Sequence, residues 1–123
     1  VSARDLARVG QLILQGGQRN GGQVVPRVWL EDIASQGSTA AWDQGSFAEY
    51  YPGYKMRYRS QWYIVEGDAP LIFGLGIHGQ HLFIDKKNQI VIAKLSSQAK
   101  PLVPERKMIV MKSVAALQAH LAG

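Results

Sequence analysis

Gly74-Leu75-Gly76-Ile77-His78-Gly79-Gln80-His81-Leu82-Phe83-Ile84-Asp85 is the stretch of this chain best suited to chemistry. Glycines at 74, 76 and 79 leave backbone N–H groups uncovered by side chains, and glycine lets a backbone approach a bound molecule closely. An alternating run follows and ends in an acidic turn at Asp85. The segment reads as one wall of an active site. His78 and His81 are the side chains here that can move a proton near neutral pH, since the ordinary imidazole pKa is about 6.5. Spaced by three along a strand, they would point to opposite sides of a sheet and could not easily act as a pair. His78 either faces a cleft, positioning substrate or tuning proton transfer, or is a hydrogen-bonded structural histidine; both readings stay open. His120 sits near the end of the last helical pattern and suits the helix dipole and solvent.

Other chemistries lack their parts. Gly74-x-Gly76-x-x-Gly79 fits the dinucleotide-binding pattern formally, but a strand follows it where a helix is required. No Gly-x-Ser-x-Gly, Gly-x-x-x-x-Gly-Lys or His-Glu-x-x-His occurs. With no cysteine and three histidines lacking acidic residues at ligand spacing, neither a metal nor another cofactor is expected. The net charge of +5 and pI near 9.7 raise the question of nucleic acid. The lysines and arginines are spread along the chain without a recognition motif, so a solvated basic surface is the expectation. No apolar run approaches the ~18 residues of a membrane span and no signal-peptide pattern opens the chain, which reads as soluble and cytoplasmic, with no membrane partner.

The elements that must position the glycine segment are legible in part. At 123 residues, 46% hydrophobic and 19% charged, one globular domain is expected. Ser2-Ala3-Arg4-Asp5 is a capping-box-like start, and Leu6, Val9, Leu12 and Ile13 continue at helical spacing until Gly16-Gly17. A second helix begins at Pro26 and carries Trp29, Leu30 and Ile33 to Gly37, so residues 1–37 form a helical pair. Residues 38–56 hold Trp42, Phe47, Tyr50, Tyr51 and Tyr54 without period, as in a loop packed against something. Residues 57–98 alternate as strands: one from Arg57 to Val65, then His81–Ile84 and Gln89–Leu95 as a hairpin around Asp85-Lys86-Lys87-Asn88. Three or four antiparallel strands are predicted. Residues 104–122 form a last helix with Ile109, Val110, Val114, Leu117 and Leu121 as its apolar side, packed on the sheet. The fold class is therefore α+β.

This order of elements, with Ser2-Ala3-Arg4-Asp5-Leu6-Ala7-Arg8-Val9-Gly10, Val24-Val25-Pro26, Gly76-Ile77-His78-Gly79-Gln80 and Ile92-Ala93-Lys94-Leu95-Ser96-Ser97-Gln98, resembles the class C β-lactamase-like serine hydrolases. The likeness is greatest to the 6-aminohexanoate-dimer hydrolases, which cut nylon oligomers. It runs from Ser2 to about Leu121 yet corresponds to the last third of such an enzyme, implying a single partial domain, the C-terminal portion of the β-lactamase/transpeptidase-like fold. In that family a Ser-x-x-Lys pair at a helix start supplies the nucleophile, and a tyrosine motif assists proton transfer. Both lie upstream of the part represented here. Gly76-Ile77-His78-Gly79 takes the place of the third motif, the Lys-Thr-Gly of the cleft strand.

By that resemblance the Ile77 N–H is one of two oxyanion-hole donors, and Gly76, His78 and Gly79 line the substrate. Ser97-Gln98-Ala99-Lys100 matches Ser-x-x-Lys but ends a strand and runs into Pro101, so it is not expected to be the reactive pair. The expected function is that of a hydrolase fragment acting on a small-molecule amide or ester, inactive alone and completed by a complementary N-terminal hydrolase fragment. The alternative is a stand-alone, non-catalytic binding or interaction module that forms a homo-oligomer.

Overall fold

Ser2 starts the first helix, α1 (Ala3–Leu14), by reciprocal capping: its hydroxyl accepts the Asp5 N–H at 3.1 Å while the Asp5 carboxylate accepts the Ser2 N–H at 3.2 Å. In the computed structural model, which describes all 123 residues, α1 stops at Gly16 and Gly17, both with positive φ. Their N–H groups satisfy the last carbonyls, at Ile13 and Leu12. A small ribbon, β1 (Gln18–Arg19) with β2 (Gly22–Gln23), then leads to α2 (Arg27–Ser35). Pro26 sits one residue before that helix. The aromatic segment contains a short helix, α3 (Thr39–Asp43), and a 3-10 turn at Ser46–Tyr50.

Five strands form the main sheet, where the sequence predicted three or four: β3 (Met56–Arg59), β4 (Trp62–Val65), β5 (Leu71–Gly76), β6 (Gln80–Asp85) and β7 (Ile90–Lys94). Each pairs antiparallel with its neighbour in sequence. The single strand expected from Arg57 to Val65 is a hairpin that reverses at Ser60-Gln61, with φ of 51° and 70°. Two left-handed residues in a row match the right-handed twist of the flanking strands. Serine and glutamine lack the Asn-Gly signature of such turns, which is why the alternating pattern reads straight through.

The alternation of β5 divides the interior. Leu71 and Phe73 join Trp42, Tyr51, Met56, Phe83, Met111 and Val114 beneath the aromatic segment and α4 (Pro104–Ala122). Ile72 joins Ile13, Leu30, Ile33, Ile64, Leu82 and Ile84 beneath α1 and α2. Each such side chain contributes roughly 1.5–3 kcal/mol when fully buried. On the first face Tyr63 stacks on Phe73 at 5.2 Å and meets Trp42 edge-on at 5.8 Å, fixing residues 38–56 to the sheet.

The face that α4 buries differs from the sequence expectation. Lys107, Met111 and Val114 are buried, whereas Ile109, Leu117 and Leu121 are exposed. Gln118 donates to the buried Asp85 carboxylate at 2.9 Å, and that bond, with Lys107 seated among aromatic rings, turns the helix away from its more apolar flank. No helix is long and apolar enough to cross a membrane.

Candidate functional site

The glycine segment is the end of β5, a three-residue reversal and the start of β6. Gly76 pairs with Gln80, so Ile77, His78 and Gly79 form the turn. His78 and Gly79 both have positive φ, 62° and 88°. Position 79 requires glycine twice over, since a Cβ there would also stand 2.9 Å from Ser96 Oγ. At position 76 a Cβ would lie 2.8 Å from Gln80 Cβ, directly across the ladder. The sequence placed both histidines on one strand; His78 instead occupies the turn and His81 the strand.

The residues after the sheet hold this turn. His78 N–H donates to the Pro101 carbonyl at 3.0 Å, and its Nδ1 lies 2.9 Å from the Gln98 carbonyl. A carbonyl can only accept, so Nδ1 is the donor in that contact. Gln80 donates through Nε2 to the Ser96 carbonyl and accepts the Ser96 N–H at 3.0 Å, and Lys94 Nζ donates to the Gly79 carbonyl at 2.7 Å. Nothing here resembles a nucleophile pair. Ser97 and Lys100 are exposed on irregular backbone, without the helix start that would aim them together.

The backbone edge is different. Pairing of β4 with β5 ends at Tyr63 opposite Phe73, whereas β6 continues to pair β5 as far as Gly76. Gly74, Leu75 and Gly76 thus have one edge without a ladder partner, running into Ile77. That residue lies outside the ladder, at the start of the turn, and is 62% exposed. A main-chain donor so placed can meet an external acceptor. Around Gly74 a Cβ would find only Trp62, at 3.8 Å, so this edge is also uncrowded.

His81 lies on β6, buried, with its ring stacked on Phe83 at 5.0 Å. Burial lowers its pKa to about 4; the Gly79 carbonyl opposes that shift, and the charges of Lys94 and Lys107 reinforce it. It is therefore neutral at pH 7. Together with Gly76, Gly79, Lys94, Arg106 and Lys107 it lines a cavity of about 300 Å³ between the turn and the start of α4. Sequence reading missed this gathering, because Arg106 and Lys107 lie far from the glycine segment in the chain and carry no motif, and Lys94 was given no role of its own. No group of three or more His, Cys, Asp or Glu residues is placed to hold a metal ion.

No family profile matches the chain. A 6-aminohexanoate-dimer hydrolase of Paenarthrobacter ureafaciens is 40% identical over 100 residues, which cover 81% of this chain and 25% of that protein. A solved structure from Bacillus anthracis, provisionally given the same enzyme name, superimposes on 97% of this chain and 29% of its own, with TM-score 0.70 and 31% identity. The chain spans about a quarter of the length of the curated relative. It is a homologue of part of a 6-aminohexanoate-dimer hydrolase, and its α+β fold is shared with the solved hydrolase relative.

Proposed function

We propose that this chain is the C-terminal portion of a β-lactamase-like serine hydrolase for amides or esters, to which it contributes an anion-stabilising backbone edge. The observation that carries the reading is the end of β4 pairing at Phe73, which leaves Gly74 to Gly76 open on one side ahead of the Ile77 N–H. In acyl transfer the attacked carbonyl oxygen gains negative charge, and preorganised N–H donors are matched to that charge. Ile77 supplies one donor, with Gly76, His78 and Gly79 shaping the substrate side. The attacking hydroxyl, its lysine and the assisting tyrosine come from a complementary N-terminal hydrolase portion. Without them the donor stabilises a transition state that nothing forms, so the chain alone is inactive.

Ile77→Pro tests the assignment. Proline removes this N–H, suits the first position of a 3-10 turn, and follows Gly76 in the extended conformation that precedes proline readily (φ −111°, ψ 152°). With a complementary fragment supplied and a chromogenic short-chain ester as substrate, the variant should fold normally and lose about 10²–10³ in kcat. Unchanged turnover in Ile77→Pro would remove Ile77 from the reaction. Hydrolysis by the unmixed chain that vanishes in Ser97→Ala would overturn the assignment altogether.

A second reading has its own support. The exposed Ile109, Leu117 and Leu121 on α4 suit a non-catalytic module that self-associates through this flank. Size-exclusion chromatography showing only monomer would count against it.

A further inference from the structure

We propose that Asn20-Gly21 is a site of spontaneous side-chain cyclisation in the folded protein, at which Asn20 passes through a succinimide into aspartyl and isoaspartyl forms. The pair makes the two-residue loop of the β1–β2 ribbon, which Arg19 and Gly22 close as partners. Both residues have positive φ, 51° and 78°, as a type I′ turn requires. Both are exposed, and a Cβ built on Gly21 would find nothing within 4 Å. The Gly21 N–H takes part in none of the turn and loop hydrogen bonds. Nowhere else in the chain does glycine follow asparagine.

The chemistry needs only water. The Gly21 backbone nitrogen gives up its proton and bonds to Asn20 Cγ, the bond from Cγ to the side-chain nitrogen breaks, and ammonia leaves with that proton. A five-membered succinimide results. Water then opens the ring at either carbonyl, giving an aspartyl residue or, with one extra methylene in the main chain, an isoaspartyl residue at position 20. Glycine on the C-terminal side leaves the attacking nitrogen accessible, since any Cβ would crowd the approach.

A left-handed turn does not itself aim this nitrogen at Cγ, so the tip must open first. Gln18, Arg19, Gly22 and Gln23 are all exposed, so no buried contact holds the tip, and a two-stranded ribbon is marginal in water. Its base is anchored instead. The Gly17 carbonyl accepts the Val24 and Val25 N–H groups at 2.8 and 3.1 Å, and Gln23 Nε2 donates to the Gly16 carbonyl at 2.7 Å. Opening therefore stays local. Arg8 and Arg19 border the same shallow hollow as Asn20, so the carboxylate that forms there meets positive charge. Asn88, the other asparagine, is restrained: its N–H and Nδ2 donate to the Asp85 carboxylate at 2.9 and 2.8 Å, and Gln89 follows it with a full side chain. None of these groups belongs to the proposed hydrolase edge, so the two readings stand or fall separately.

The test is to age the intact 123-residue chain in weakly alkaline buffer, with and without guanidinium chloride, and map its peptides by mass spectrometry. Enzymatic methylation of isoaspartyl carboxylates reads the isoaspartyl product separately. Asn20 should convert in the folded protein while Asn88 stays intact, and Asn20→Ser should abolish the isoaspartyl signal. Denaturant should speed the reaction at Asn20 by no more than about tenfold, equivalent to about 1.4 kcal/mol of local opening. A reaction that waited for global unfolding would instead accelerate more than about 10³-fold, since domains are stable by at least about 5 kcal/mol. An intact Asn20 in the aged folded protein, acceleration of that larger size, conversion of Asn88 as fast as Asn20, or an isoaspartyl signal surviving in Asn20→Ser would each overturn the proposal.

Discussion

Acidification should destabilise this fold before its carboxylates begin to protonate, and His81 is the cause. Its imidazole is buried against Phe83, and burial, reinforced by Lys94 and Lys107, holds its pKa at about 4 against 6.5 for a free group. Between those values the unfolded chain binds a proton that the folded chain refuses, so stability rises with pH and is lost as pH falls from about 6.5 to about 4. Across that window the loss is about 3 kcal/mol, of which about 2 kcal/mol is gone by roughly pH 5. Against a typical total of about 5–15 kcal/mol this is a large share. Asp5, Asp32 and Asp85 all have lowered pKa values, so their contributions are present above 3.8 and disappear only below it, beneath the His81 window. Urea unfolding at several pH values in that window, on the wild type and on His81→Phe, measures the slope. The variant keeps an aromatic ring beside Phe83 but cannot titrate, so its midpoint should be nearly flat there. Equal slopes in the two proteins would refute the reasoning.

Two further substitutions follow from packing and pairing. Gly10→Ala should destabilise by about 1 kcal/mol despite better helix propensity, because the new Cβ would lie 2.5 Å from Cγ1 of Val91, a branched side chain with little freedom to yield; a raised melting temperature would contradict this. Arg57→Met should cost about 2–3 kcal/mol, since Arg57 joins Glu66 to the Ala34 and Gln36 carbonyls at the end of α2. Arg57→Lys should not restore that loss in chemical denaturation, as an ammonium cannot reproduce the three-way fork, and full recovery would show that charge alone suffices.

Where local chemistry dictated the backbone, the chain could be read directly. Ser2 and Asp5 announce α1, Gly16 and Gly17 end it, and Asp85 to Asn88 mark the β6–β7 turn, where Asp85 accepts the Asn88 N–H at 2.9 Å. The misses arise where pairing and packing overrule the local pattern. Ser60-Gln61 adopts a left-handed turn because the strands on either side pair, not because those residues prefer it. The side of α4 that is buried is set by Asp85 and the aromatic segment, so its own apolar periodicity misleads. At the candidate site the glycines signalled an approachable backbone, but the open edge of β5 depends on where β4 ends. Lys107 had no signal at all, as its aromatic surroundings lie more than fifty residues away.

The strictly sequential order of the five strands has a kinetic consequence. Each ladder closes a loop of two to five residues, so assembly from β3 to β7 needs no distant segment to arrive first and the entropic barrier to each closure is low. Such a meander can zip up hairpin by hairpin as it leaves the ribosome.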